Sequence, residues 1–174
     1  MHIAILTVSD RASRGEYEDL GGPSIEKWLR DVVSSPYETT RAVIPDDAAR
    51  IERQLLEFCD ERPVDMVLLT GGTGPSPRDV TPEALRRILV KELPGFGEEM
   101  RRASLAQTPT AILSRQSAGI RNRTLIISLP GKPSAISVCL DAIFAAVPYC
   151  LDLIGAGRIE TNPERLISFR PQKV

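Results

Sequence analysis

Asp65-Met66-Val67-Leu68-Leu69-Thr70-Gly71-Gly72-Thr73-Gly74-Pro75-Ser76-Pro77-Arg78-Asp79-Val80-Thr81-Pro82-Glu83 changes character twice. The run through Leu69 is short and continuously apolar, which predicts a strand buried on both faces. It empties into glycines 71, 72 and 74, interleaved with Thr70 and Thr73. Thr81-Pro82-Glu83 then reads as a helix start, with a hydroxyl cap, a proline in the first turn and an acid near the positive end of the dipole. Strand, glycine loop and helix in that order suit a phosphate. Glycines let backbone N–H groups approach an oxyanion, and a helix N-terminus favours negative charge. A glycine-rich turn alone also serves as a plain connector, so the neighbouring elements have to decide.

Outward from this stretch, strand and helix patterns alternate. Ile3 to Val8 is apolar and β-branched and stops at Ser9-Asp10-Arg11. Gly21-Gly22-Pro23 opens a helix with Ile25, Trp28, Leu29, Val32 and Val33 at helical spacing. Tyr37 to Val43 alternates and ends at Ile44-Pro45-Asp46, predicting a less buried strand, and a helix is expected from about Asp47 to Glu61. Another helix is expected after Leu93-Pro94-Gly95, through Leu105. Within Gln107 to Asn122, Ala111-Ile112-Leu113 and Ala118-Gly119-Ile120 fit either short strands or ordered loop. Thr124 to Leu129 is a strand broken by Pro130-Gly131-Lys132-Pro133. Ile136, Leu140, Ile143 and Val147 mark a helix, and Pro148 to Leu153 begin another. The tail from about 162 is less regular, with Leu166, Ile167 and Phe169 as a candidate final strand.

The alternation predicts an α/β fold, three-layer α/β/α with a mostly parallel central sheet, in a single domain over residues 1–174. Ligands of such sheets bind beyond the carboxyl ends of the strands. Ser9-Asp10-Arg11, Asp46, the glycine loop and Pro130-Gly131 should therefore gather on one edge.

The loop is neither common nucleotide motif. Gly74 is followed by Pro75-Ser76-Pro77-Arg78, not by the Lys-Ser/Thr of a Walker loop, and the third glycine of a dinucleotide fingerprint is missing. The inventory is equally restrictive. His2 is the only histidine, which disfavours a Ser-His-Asp hydrolase, a Cys-His protease and a histidine-rich metal site. Cys59, Cys139 and Cys150 lack Cys-x-x-Cys spacing and disfavour a disulfide framework or zinc site, and each sits beside apolar helical positions as a core residue would. A formal net charge of −1 with 26% charged residues argues against a general nucleic-acid binder. No apolar run approaches membrane-spanning length, and Met1 leads directly into a strand pattern without a signal-like region, so a cytoplasmic protein is expected.

Leu68-Leu69-Thr70-Gly71-Gly72-Thr73-Gly74 with Asp79 resembles the signature of the molybdenum-cofactor biosynthesis family, which includes molybdopterin adenylyltransferases and the G domain of gephyrin. Further segments are similar in the same order: Val8 to Ser13, Ile44-Pro45-Asp46, Asp79 to Glu83, Pro94 to Glu98, Thr110 to Arg115, Leu129 to Pro133 and Val147 to Cys150. The resemblance runs from residue 3 to about 155 and is to the bacterial branch.

It implies Mg²⁺-dependent transfer of AMP from ATP to molybdopterin with release of pyrophosphate. Such chemistry needs orientation and charge neutralisation more than covalent help. It implies catalytic and magnesium-placing roles for Asp46 and Asp79, against the plainer readings of Asp46 as a helix cap and Asp79 as a turn acid or partner of Arg78. Substrate contacts are implied for Ser9, Asp10, Arg11, Thr70, Gly71, Gly72, Thr73, Gly74, Ser114, Arg115, Pro130 and Gly131; for Ser9-Asp10-Arg11 the alternative is a surface turn. Glu98 is a weaker candidate, since acids on helix surfaces are usually solvated. A homotrimer and transient contact with other molybdenum-cofactor enzymes are also implied. The competing expectation is a non-catalytic pterin- or nucleotide-binding assembly protein of the same fold. The complete glycine loop with both acids favours the enzyme.

Overall fold

A strand with isoleucine, leucine or valine at successive positions has no face to give to water. In the computed structural model, which describes residues 1–171, β1 (His2–Val8), β3 (Met66–Thr70) and β6 (Thr124–Leu129) accordingly occupy the middle of a six-stranded sheet. Its order is β2-β1-β3-β6-β5-β4, with β2 (Glu38–Ile44), β4 (Lys91–Glu92) and β5 (Ala118–Arg121). β2, β1, β3 and β6 are parallel; β5 runs antiparallel to β6 and β4 antiparallel to β5. The alternating strand β2 is a largely exposed edge, as its pattern predicted.

Successive strand residues enter different cores. Ile3, Ile5, Met66, Leu68, Leu125 and Ile127 pack with α2 (Gly21–Val32), α5 (Pro94–Leu105), α6 (Pro133–Ile143) and α7 (Val147–Ile154). Ala4, Leu6, Val8, Val67, Leu69 and Ile126 pack with α3 (Ala48–Leu56) and α4 (Thr81–Ile88). Each fully buried Leu or Ile contributes roughly 1.5–3 kcal/mol, so a one-residue register slip would exchange the two cores and is strongly opposed. A short helix, α1 (Asp10–Ser13), follows β1, with the Ser9 side chain accepting from Ala12 N at its start.

Four local expectations are settled, refined or corrected. The helix expected to Glu61 is α-helical only to Leu56 and continues as a π turn over Glu57–Glu61. Of the two ambiguous segments before β6, Pro109–Leu113 is a 3₁₀ turn, whereas Ala118–Arg121 gains a ladder with β6 and becomes a strand. Leu166, Ile167 and Phe169 form no strand, because the tail crosses the helical layer instead of a sheet edge. Arg165 pairs there with Asp31 and Asp141, and Phe169 N donates to Ala145 O at 2.9 Å. The remainder of the predicted tail, 172–174, lies outside the described residues. The fourth concerns Thr81 and belongs to the glycine loop below. Among the described residues, no single helix is long and apolar enough to cross a membrane.

The chain leaves β1 for β2 on one side and later enters β3 on the other. Crossovers that diverge in this way leave a crevice beyond the carboxyl ends of β1 and β3, the switch point of the sheet.

Candidate active site

The glycine loop leaves β3 in a conformation that other residues resist. Gly71 has φ +105° and Gly72 φ +62°; a Cβ on Gly71 would lie 2.1 Å from the Val8 carbonyl oxygen. One on Gly72 would lie 2.5 Å from Thr81 Oγ1 and 3.1 Å from Asp46 Oδ1. The loop is thus pressed against β1 and against the start of α4. Thr81, expected to cap α4 with its hydroxyl, instead donates that hydroxyl to Gly71 O at 3.0 Å and its N–H to Gly72 O at 3.1 Å. Being the first residue inside the helix, it faces back to the loop. Among the described residues, the N–H groups of Gly72, Thr73 and Gly74 find no backbone carbonyl partner.

Two strand ends are joined by reciprocal bonds between acids. Asp10 N donates to Asp46 Oδ2 at 2.8 Å, and Asp46 N donates to Asp10 Oδ1 at 3.1 Å. The α3 cap is Asp47, which accepts from Arg50 N at 2.9 Å, so the cap reading fails for Asp46. Arg78 donates to both carboxylate oxygens of Asp10, at 2.7 to 3.0 Å, which answers the expectation of an Arg78–Asp79 pair: the arginine belongs to Asp10. Asp79 Oδ2 accepts from Ser76 N at 2.9 Å, the turn contact foreseen for it.

These surroundings give the acids opposite electrostatics. The Arg78 guanidinium holds the Asp10 carboxyl below its ordinary range. Burial pushes Asp46 up, and the neighbouring Asp10 and Asp79 carboxylates add to that push. Among the described residues, no group of three or more His, Cys, Asp or Glu side chains is placed to hold a metal ion by itself. A hard cation bound through one or two carboxylates and the oxygens of a phosphate ligand requires no such group. The accumulation of negative charge around Asp46 is what such a cation would relieve.

A cavity of about 460 Å³ brings together Ser9, Asp10, Arg11, Asp46, Thr70, Gly71, Gly72, Asp79 and Gly131. The convergence of strand ends expected from the sequence is thus present. Thr70 Oγ1 donates to Pro130 O at 2.8 Å, and Thr73 Oγ1 pairs with Ser114 Oγ at 3.2 Å, so both threonine hydroxyls are engaged within the protein. Ser114 and Arg115 line a separate groove of about 440 Å³. From there Arg115 donates to Gly74 O at 3.0 Å and to Asp79 O at 2.7 Å, and pairs with Glu83. That guanidinium holds the Glu83 carboxyl below its ordinary range. A wider trough of about 720 Å³ between α2, α6 and Arg165 has neither glycine loop nor converging acids, so volume does not select the site.

The sequence reading missed Asp19, Tyr17 and Lys132, which also line the cleft. Asp19 accepts from Thr7 Oγ1 at 3.1 Å, from Gly21 N at 3.0 Å and from Gly22 N at 3.1 Å, and it pairs with Arg41 of β2 at 3.0 Å. The signal was an Asp just before the Gly21-Gly22-Pro23 helix start. Tyr17 carries the Arg11 guanidinium 5.1 Å from its ring centroid, a contact between loop residues that no spacing rule indicates.

Fold and cleft together define a class: a doubly wound α/β protein with an acid-lined glycine loop at the switch point of its sheet. A family model described as "Probable molybdopterin binding domain" matches residues 4–149, and the chain belongs to that family. It is 51% identical over 173 residues to a molybdopterin adenylyltransferase of Helicobacter pylori, covering 99% of this chain and 98% of the relative. It is 45% identical over 184 residues to the molybdopterin adenylyltransferase of Escherichia coli K12, covering 99% and 94%. Among solved structures, the molybdopterin biosynthesis enzyme MoaB of Thermus thermophilus superposes with a TM-score of 0.82 at 40% identity, covering 90% of this chain and 98% of that one.

Proposed function

We propose that this protein is a molybdopterin adenylyltransferase, transferring AMP from ATP to molybdopterin in molybdenum cofactor biosynthesis. The observation that supports the reading most is the glycine loop of β3 sharing one cleft with Asp46 and Asp79, in a chain similar to adenylyltransferases along its length. In the reaction a phosphate oxygen of molybdopterin bonds to the α-phosphorus of ATP, the bond from that phosphorus to the α,β-bridging oxygen breaks, and pyrophosphate leaves.

The free N–H groups of the loop bind phosphate oxygens. Ser9, Asp10, Arg11, Thr70, Gly71, Gly72 and Gly131 shape the wall against which the two substrates lie, with Thr73, Gly74 and Pro130 supporting it. Ser114 and Arg115 act through the loop. Asp46 and Asp79 are the carboxylates that would hold Mg²⁺, and the crowding of acids around Asp46 fits that role. Bound Mg²⁺ would neutralise the charge of the transferring phosphates. We read residues 1–174 as one domain with an irregular tail from about 162, working in the cytoplasm as a homotrimer that meets other molybdenum-cofactor enzymes transiently.

Incubating the purified protein with molybdopterin, ATP and Mg²⁺ tests the reading. Adenylylated pterin and pyrophosphate are expected, with no product when Mg²⁺ is chelated. Binding of both substrates without product would replace the enzyme with a pterin- or nucleotide-binding assembly protein.

A further inference from the structure

Arg115 bonds to the protein through each of its three guanidinium nitrogens at the edge of the glycine loop. Its main-chain N–H donates to Thr73 O at 2.8 Å, Nε donates to Gly74 O at 3.0 Å, and Nη2 donates to Asp79 O at 2.7 Å. Nη1 pairs with the Glu83 carboxylate in the first turn of α4. These four acceptors span both ends of the segment that carries the loop into Asp79. Thr81 Oγ1 also ties back to Gly71 O, but among the described residues Arg115 is the side chain from outside the segment that bonds both of its ends.

The segment that carries Arg115 is itself anchored. Gln116 is 1% exposed; its Nε2 meets Cys139 Sγ of α6 at 3.4 Å, and its carbonyl accepts from Arg101 Nη1 of α5 at 2.8 Å. Ser114 bonds to Thr73 on one side and to Gln116 on the other. A rigid core position therefore reaches out through two adjacent residues to the loop. A trans peptide unit directs its C=O and N–H to opposite sides. Drawing Thr73 O toward Arg115 therefore turns Gly74 N–H away from Arg115.

We infer that Arg115 is a positioning residue that fixes the glycine loop and Asp79 in register with each other, and that it is not a contact for a substrate anion. The kinetic part rests on the adenylyl-transfer reading, while the structural part stands independently. A planar fork making several fixed bonds is not reproduced by a lysine. Misplacing a reacting group by about 1 Å lowers a rate by on the order of a hundredfold.

The test uses the full chain with Arg115→Ala and Arg115→Lys, read first by amide hydrogen exchange. Exchange at Gly71, Ser76, Asp79 and Thr81 is expected to accelerate about tenfold or more in both variants, with the strand amides of β1 and β6 unchanged. In the adenylyl-transfer assay, kcat should fall roughly 10–100-fold and half-saturating Mg²⁺ should rise about tenfold, with KM for ATP moving less than about threefold. Unchanged exchange in the loop would overturn the inference. A raised KM for ATP or pterin at unchanged kcat would do so as well, since that is the signature of an anion contact. If neither variant folds, Glu83→Gln weakens one anchor; it should accelerate exchange at Thr81 and Asp79 to a smaller extent, and no change there counts against the clamp. A parent protein without transferase activity would refute the proposed function and leave the exchange result to decide the clamp.

Discussion

At the amino ends of the parallel strands, the acids Asp60 and Asp65 are surrounded by donors; at the carboxyl ends, Asp46 lies between two other acids, Asp10 and Asp79, with Arg78 offsetting them only in part. Asp60 accepts from Arg121 at 2.6 to 3.1 Å and from Asn122 at 2.7 Å, and Arg121 holds its carboxyl below the ordinary range. Asp65 accepts from His2 N at 2.8 Å and from Gly157 N at 2.6 Å. Those acids bind the chain to itself. Asp46 accepts one backbone N–H at 2.8 Å, while burial and the Asp10 and Asp79 charges raise its pKa. The same residue type is a staple where its oxygens are satisfied and a candidate site where burial and like charges outweigh the pull of Arg78. The proposed site thus lies at the end of the sheet where acids crowd one another.

The comparison is broken most directly at Asp79. Asp79→Asn keeps an oxygen for Ser76 N but removes the charge, so turnover should fall roughly a hundredfold or more while stability changes by less than about 1 kcal/mol. Pyrophosphate release and thermal unfolding measure the two, and a fully active variant would remove Asp79 from the mechanism. Next comes Gly71→Ala. Its Cβ would meet the Val8 carbonyl oxygen at 2.1 Å in a positive-φ conformation, and a loss of about 3 kcal/mol in urea unfolding is expected. A variant as stable as the parent would mean that the loop relaxes away from β1.

A smaller effect carries a sign. Asp60 has a lowered folded pKa, so its contribution is present above the unfolded value of about 3.9 and is lost as pH falls through the folded value. Asp46 has a raised folded pKa, so its favourable contribution lies below that unfolded value and is lost as pH rises through the folded one. At pH 7, Asp60→Asn should therefore cost about 1 kcal/mol, allowing for screening at a partly exposed pair. Asp46→Asn should cost nothing or stabilise by up to roughly 1 kcal/mol. In unfolding titrations from about pH 7 to 3, the two differences should shrink from opposite sides, and equal signs would erase the distinction between the two ends of the sheet.

What was legible in the sequence follows from how local its causes are. The apolar runs of β1, β3 and β6 state burial on both faces, and in a doubly wound sheet that burial already implies where the loops converge. β4 was illegible because Lys91–Glu92 becomes a strand only by pairing with Ile120 and Gly119. The tail kept an apolar pattern without a strand because no sheet edge meets it. At the site, the convergence expected from the strand ends holds for Asp10, Asp46, Gly71, Gly72 and Asp79, which line one cleft, whereas Gly74 does not line it. The positions of Arg78 and Arg115 were beyond it. Arg78 bonds an acid 68 residues away, and Arg115 bonds a carbonyl 41 residues away. Adjacent sequence favours neither pairing.

The sequence by itself determined the layered α/β fold, the glycine loop beyond β3 and the chemistry excluded by a single histidine, because strand burial, glycine conformation and side-chain inventory are properties of short stretches or of composition. Only the tertiary structure decided which acid is capped, which is stapled and which remains short of positive charge. Those outcomes depend on donors and charges brought within about 3 Å from distant parts of the chain, and hydrogen bonding and Coulomb attraction act at that distance regardless of separation in sequence.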